Sequence, residues 1–513
     1  MKLSNTTYKT LKNSAIAFAC ISLMSTVSGC KKFLDTQPQG AYTLENYPYQ
    51  AGAGPYDTYI FGAYNFLRDY NISAAPFIVA TSIRSDDADK GSTASDGGAD
   101  VITMDNFPVL PSNGIANALW VNYFTLINRC NIALDQIKNN NTIVADNTIK
   151  LQSEAEMRFL RGYSYFMLVR LFGGVPIIDK LTNVAQSNVP RATAAATYAF
   201  IEQDMQFAST NLPASWDPKS IGRITRGAAT GMLAKVYLTQ QKWAEAMNAA
   251  NSVMTSGQYD LSTPYTKVFS EDGENSKESV FEIQATASSL APTDNGVQYT
   301  NIQGVRGSGA FDMGWGWNTP STQLESAYEA NDPRKARTIL YTAAGSKSLY
   351  GEDIPPGLPN PRYNNKVYTN PTLRALYNNR MGYWMNVRIL RYADVVLMYA
   401  EAANEVGGAA NIANAVAALN SVRARARNGN AAILPDVVTT SQAVAREAIR
   451  RERRIELAME HDRFFDLVRW GISQDAMTAA GKTNFSASRD NLLPIPQAQI
   501  DLSKGVLTPN PGY

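Results

Sequence analysis

Two tryptophans separated by one glycine, Trp315-Gly316-Trp317, stand in the run GVRGSGAFDMGWGWNTP and offer flat apolar faces for binding. Sugars present C–H faces that rest on such rings, whose faces carry the negative end of the quadrupole, while their hydroxyls need carboxylate, amide or guanidinium partners. In an extended backbone positions 315 and 317 point to the same side, and the surrounding glycines permit close approach. Arg306 and Asp87 are the candidate hydrogen-bonding groups beside them. An indole can equally plug the core where loop meets helix. Trp384, just ahead of a helical pattern, and Tyr350, in an Asn- and Pro-rich stretch from about 341 to 386, carry the same two readings.

Carboxylates supply the second chemistry. The run Asp86-Asp87-Ala88-Asp89 can accept hydrogen bonds from ligand hydroxyls or offer oxygens to a hard cation, a structural calcium being the one candidate ion. Its spacing departs from the EF-hand loop, so solvated loop acids are the plainer reading and no cofactor is expected. Glu456 and Glu460 fall on one helical face and resemble an acid/base pair. Arg450, Arg453 and Arg463 lie three or four residues from acidic groups there, which reads instead as ion-pair support of a helix. A glycosidase needs two carboxylates across a cleft, and no such pair can be placed, so no catalytic residue is assigned and the chain is expected not to be an enzyme. Lone His461 tells against multi-histidine zinc sites and histidine-based triads.

The elements that must position these residues are helical. Trp120, Tyr123, Phe124, Ile127 and Leu134 form one stripe, and Cys130 shares its spacing, which marks a small buried hydrophobe rather than a reactive thiol. Ser153 with Glu156 reads as a capping box opening a second helix that carries Phe159, Tyr163, Phe166 and Met167 and stops at Gly173-Gly174. Residues 224–257 read as a helix pair with a turn at Gln240-Gln241-Lys242; a second pair breaks at Gly407-Gly408. Aromatics facing alanines suit tetratricopeptide-like packing, interrupted here by long excursions. A last helix is predicted from Val444 to Trp470. The fold class is therefore mostly α, with loop excursions and minor β hairpins.

The first residues read as an export leader. Lys2, Lys9 and Lys12 precede an apolar run from Ala15 to Val27 that is too short to span a bilayer, and the tetrad Val27-Ser28-Gly29-Cys30 offers a thiol for lipid attachment. Residues 1–29 are the expected signal peptide and Cys30 the lipid attachment site. With 47 basic and 45 acidic residues the chain is close to neutral, which argues against a nucleic-acid partner.

Several blocks together resemble the SusD/RagB family of outer-membrane lipoproteins from Bacteroidetes. They are CKKFLDTQP, EAEMRFLRGYSYFMLVRLFGGVPII, ITRGAATGMLAKVYL, RYADVVLMYAEAANEVG, RRERRIELAMEHDRFFDLVRWG and NLLPIPQAQIDLSKGVLTPNPGY, in that order. The resemblance implies a SusD-like helical body, with an N-terminal region over 30–260 and a loop-rich C-terminal region over 261–513. It also implies a lipid-anchored, surface-exposed lid that binds oligosaccharide or polysaccharide and passes it to a SusC-like TonB-dependent transporter. It places ligand contacts in the loop around Asp86 and Asp87, in the GWGWN segment, and in the loops from Tyr350 to Trp384. A peptide-binding lid of the same architecture, a surface glycosidase and a protein-binding scaffold are the alternatives.

Overall fold

Asp146 opens a long, deeply buried helix: its carboxylate accepts from the Ile149 amide, satisfying one of the donors a helix start leaves orphaned. The computed structural model describes residues 54–182, 188–291 and 293–513. The leader and Cys30 lie outside them. Among the described residues no helix is long and apolar enough to cross a membrane.

In chain order the elements used below are α1 (Asp57–Phe66), β1 (Ala88–Gly91), α2 (Gly114–Asn139), α3 (Asn147–Phe172), α4 (Ala194–Asn211), α5 (Arg226–Thr239), α6 (Trp243–Met254), β2 (Ser279–Ile283), β3 (Trp317–Pro320), β4 (Ile339–Tyr341), β5 (Arg362–Asn364), β6 (Val387–Arg391), α7 (Tyr392–Val406), α8 (Ala409–Arg427), α9 (Gln442–Glu456) and α10 (Arg463–Arg469). Successive helices α2 to α6 pack on one another, and α7 with α8 forms the second pair, docked on α6. Both predicted pairs are present. Gln240 and Gln241 turn the chain between α5 and α6, and Gly407 and Gly408, at φ +77° and +86°, break it between α7 and α8.

Two helix boundaries differ from expectation. The helix expected to start at Ser153 starts at Asn147, because Asp146 caps it; Ser153 and Glu156 are buried in its interior. The last predicted helix is two. After α9 the chain leaves helical geometry, with Met459 and His461 at φ +64° and +75°, and resumes in α10.

The small sheets are pairs of distant segments. β1 pairs antiparallel with β3, with Gly91 opposite Trp317; β2 pairs with β6 and β4 with β5. One buried cluster gathers side chains from Tyr56 to Leu507, Cys130 among them, and burial pushes that thiol up to about 12. The described residues form one compact unit. The C-terminal stretch closes it: the Leu493 amide donates to the Leu171 carbonyl at 2.6 Å, and Asn510 Nδ2 donates to the carbonyls of Phe172 and Leu493.

Candidate binding edge

The β1/β3 ribbon presents the GWGWN segment. Gly316 sits at φ +71°, where an added Cβ would lie 2.9 Å from the Arg306 Cβ and 3.0 Å from Asn360 Nδ2, so the position demands glycine. That kink separates the fates of the two indoles, which are not the paired platforms of an extended strand. Trp317 is buried; Trp315 is half-buried and meets it edge to face, with ring centroids 5.0 Å apart. Trp315 also leans on Tyr70, 6.3 Å away, whose short helix is capped by Asp69 through the Asn71 amide. Trp317 is thus a backing for Trp315 rather than a second face.

Asp96 organises the polar groups beside them. Its Oδ2 accepts from Ser92 Oγ at 2.7 Å, from Trp317 Nε1 at 3.3 Å and from Arg306 Nη1. Burial opposes the charge, but these hydrogen bonds and the nearby Arg306 and Lys90 hold the carboxyl below its usual range. Lys90 Nζ donates to the carbonyls of Gly91, Thr93 and Asp96, closing the loop. Asn360 ties both sides together, accepting from the Ser92 amide and donating to the Gly316 carbonyl. Arg306 keeps 39% of its side chain exposed and Asp96 25%. The edge therefore carries one accessible indole, a phenol ring, a guanidinium and a carboxylate on a braced loop. Tyr70, Asp96 and Asn360 were not singled out as ligand contacts from the sequence; only Asp96 had a signal, as an extension of the acidic cluster that begins at Asp86.

The other candidates lie elsewhere. Asp86 and Asp87 are 4% and 2% exposed. Arg463 grips Asp86 through Nε and Nη2, both at 2.8 Å, and Arg454 Nη2 lies 2.6 Å from Asp87 Oδ1. As ligand contacts they are corrected: these carboxylates clamp the C-terminal helices to the ribbon, and their acceptor capacity faces guanidinium groups. Among the described residues no group of three or more His, Cys, Asp or Glu is placed to hold a metal ion. Trp384 is 4% exposed and donates from Nε1 to Glu271 at 2.8 Å. Tyr350 is half-buried and stacks on Tyr368 at 6.3 Å, against a small core with Val305, Met313 and Tyr363, so Trp384 and Tyr350 act as supports rather than as exposed platforms.

Glu456 and Glu460 are no acid/base pair. Arg391 donates to Glu278, Glu456 and Glu460 at 2.6–3.1 Å; Arg425 reaches Glu456 at 2.6 Å, Arg334 reaches it at 3.2 Å, and Lys366 reaches Glu460 at 2.6 Å. Burial alone raises a carboxyl, yet Arg425, Arg391, Arg334 and Lys366 hold Glu456 down at about 2. Of the arginines predicted to brace their own helix, Arg450 does so through Glu447 at 3.5 Å, whereas Arg453 pairs with Asp394 and Asp466, and Arg463 with Asp86, outside their own helices' i,i+3 and i,i+4 positions.

Fold and edge together define a helical binding protein with a loop-built aromatic surface. The chain belongs to the SusD family, whose model matches residues 248–513, while residues 60–238 match the family described as starch-binding associating with outer membrane. It is 28% identical to SusD-like protein P2 of Formosa agariphila over 98% of this chain and all of that one. Among solved structures it is similar to a laminarin binding SusD-like protein, with 28% identity, a TM-score of 0.75 and coverage of 89% of this chain and 99% of that one. It is also similar to surface glycan-binding protein A from Bacteroides fluxus, with 25% identity, a TM-score of 0.74 and coverage of 91% and 100%.

Proposed function

We propose that this protein captures a glycan at the Trp315 edge and hands it to a SusC-like TonB-dependent transporter, over which it acts as a lid, without catalysing any reaction. The observation that carries the reading is the half-buried Trp315, backed by Trp317 and flanked by Tyr70, Arg306 and Asp96. Ring faces take the apolar side of a pyranose and the charged pair takes its hydroxyls. One platform yields only about 1 kcal/mol beyond the area it buries, so several contacts and closure against the transporter contribute to retention. The laminarin named for one similar structure makes β-glucans the first ligands to try.

Acyl chains on Cys30 anchor the protein to the outer membrane and hold the lid near its partner, raising effective concentration. Replacing Cys30 with serine is expected to release the protein from membranes; continued retention contradicts the anchor. For the ligand, the soluble domain is screened by calorimetry against glycan and peptide panels, with laminarin in the first set. Carbohydrate binding that weakens in Trp315→Ala supports the reading. Selective peptide capture with no carbohydrate signal overturns it, and product release abolished by a single Asp or Glu substitution makes the protein an enzyme.

A further inference from the structure

Two cavities lie along one wall of the molecule and share lining residues. The first, about 440 Å³, opens between the loop before α5, the turn after α6 and the approach to β2, with Gln258, Asn275, Lys277 and Gln284 around it. The second, about 460 Å³, lies between α1 and the end of β2, under Phe61, Arg68 and Asn295. Glu282 and Gln284 line both, so the two form one trough. Each volume falls in the range of small-ligand sites.

Its chemistry is specific. Phe61 is a large ring left 45% exposed over the second cavity. The hydrogen-bonding groups are amides, hydroxyls and the cations Arg68, Arg223 and Lys277; Asn275 and Gln284 bond each other, while the side chain of Gln258 forms no hydrogen bond to another described residue. Lys277 is exposed, its Nζ donating to the Gln258 carbonyl at 3.1 Å. The carboxylate, Glu282, is turned inward and accepts from Asn386 Nδ2 at 2.9 Å and from the Asn275 amide at 3.3 Å. Ring face, unspent amide and cationic donors fit a polyhydroxylated chain, whose C–H faces rest on the ring and whose hydroxyls accept from the amide and the cations.

One end of the trough is joined to the edge already described through the chain. Arg68, fixed to the Asn295 carbonyl at 2.8 Å, is two residues from Tyr70, whose ring leans on Trp315. Two peptide steps keep their Cα atoms within about 7.6 Å.

We infer that the trough is a second set of subsites for the same glycan, so that the protein holds a long oligosaccharide running from Trp315 past Arg68 to Gln258 and Lys277 and discriminates by chain length. This inference rests on the glycan reading of the Trp315 edge. The test is titration of the soluble domain with laminaribiose and with laminarin. The variants are Phe61→Ala and the double variant Gln258→Ala/Lys277→Ala, all at accessible positions, with Trp315→Ala as reference and thermal melts as a folding control. Wild type is expected to bind laminarin at least about tenfold more tightly per chain than laminaribiose, and either trough variant to lose most of that preference while its affinity for laminaribiose stays unchanged. Trp315→Ala is expected to weaken both ligands. A preference unchanged in both folded trough variants overturns this inference and leaves the glycan reading standing. A wild type that binds neither ligand overturns this inference together with the assignment of laminarin.

Discussion

Arginine meets carboxylate beside aromatic rings in two places, and only one of them is available to a ligand. At the end of α9, Arg391, Arg425, Arg334 and Lys366 surround Glu456 and Glu460, with Phe269 under Arg391 and Lys366, and every one of these groups is nearly or wholly enclosed. At the ribbon, Arg306 and Asp96 pair beside Trp315 with a quarter or more of each side chain in solvent. The residue types are the same. In the first region the charges satisfy one another away from water, where removing one partner strands the rest. In the second, water supplies the remaining partners, and a sugar hydroxyl can replace it with little loss.

Breaking the enclosed region is expected to have the largest effect. Glu456→Gln leaves Arg391 and Arg425 short of a counter-charge, and chemical denaturation is expected to show a loss of about 3–5 kcal/mol. Trp315→Ala attacks the open region: a loss of about 2 kcal/mol in glycan binding, roughly thirtyfold, is expected by calorimetry, with the melting temperature little changed. Asp96→Asn removes the charge that Arg306 and Trp317 share and is expected to cost about 1 kcal/mol in binding. Equal loss of stability from the Trp315 and Glu456 variants would erase the contrast between the regions.

The last effect is absent at neutral pH and appears only in acid. His461 is buried between Thr81 and Tyr299, and burial pushes its pKa down to about 3 from the ordinary 6.5. The folded form thus binds fewer protons than the unfolded form between those values. Stability is full above about 6.5 and falls as pH drops toward 3. Melting temperature is expected to decline over that window in wild type and to decline less steeply in His461→Gln.

The helix pairs were legible because their apolar spacing and glycine stops are local. Trp120, Tyr123 and Ile127 lie on one buried face, and Gly173 ends α3 where the sequence places a stop. The misplaced start of α3 has a local cause as well, a serine three residues before a glutamate inside a helix that Asp146 already caps. The site was only partly legible. An arginine near an acid reads the same on paper whether the pair is wet or sealed, and the partner of Asp86 lies 377 positions away. Gly316 could be seen to allow a kink, but the turn that exposes Trp315 and hides Trp317 depends on Arg306 and Asn360 packed against it.

The clasp of Leu493 and Asn510 on the end of α3 has a consequence for biogenesis. Helices α2, α3 and α4 pack on one another as they emerge, but the C-terminal end of α3 gains its last partners only when residues some 340 positions downstream have been made, and such distant closure is slow. That end of α3 stays open until synthesis is nearly complete, and deleting the final twenty residues is expected to cost more stability than cutting a surface loop.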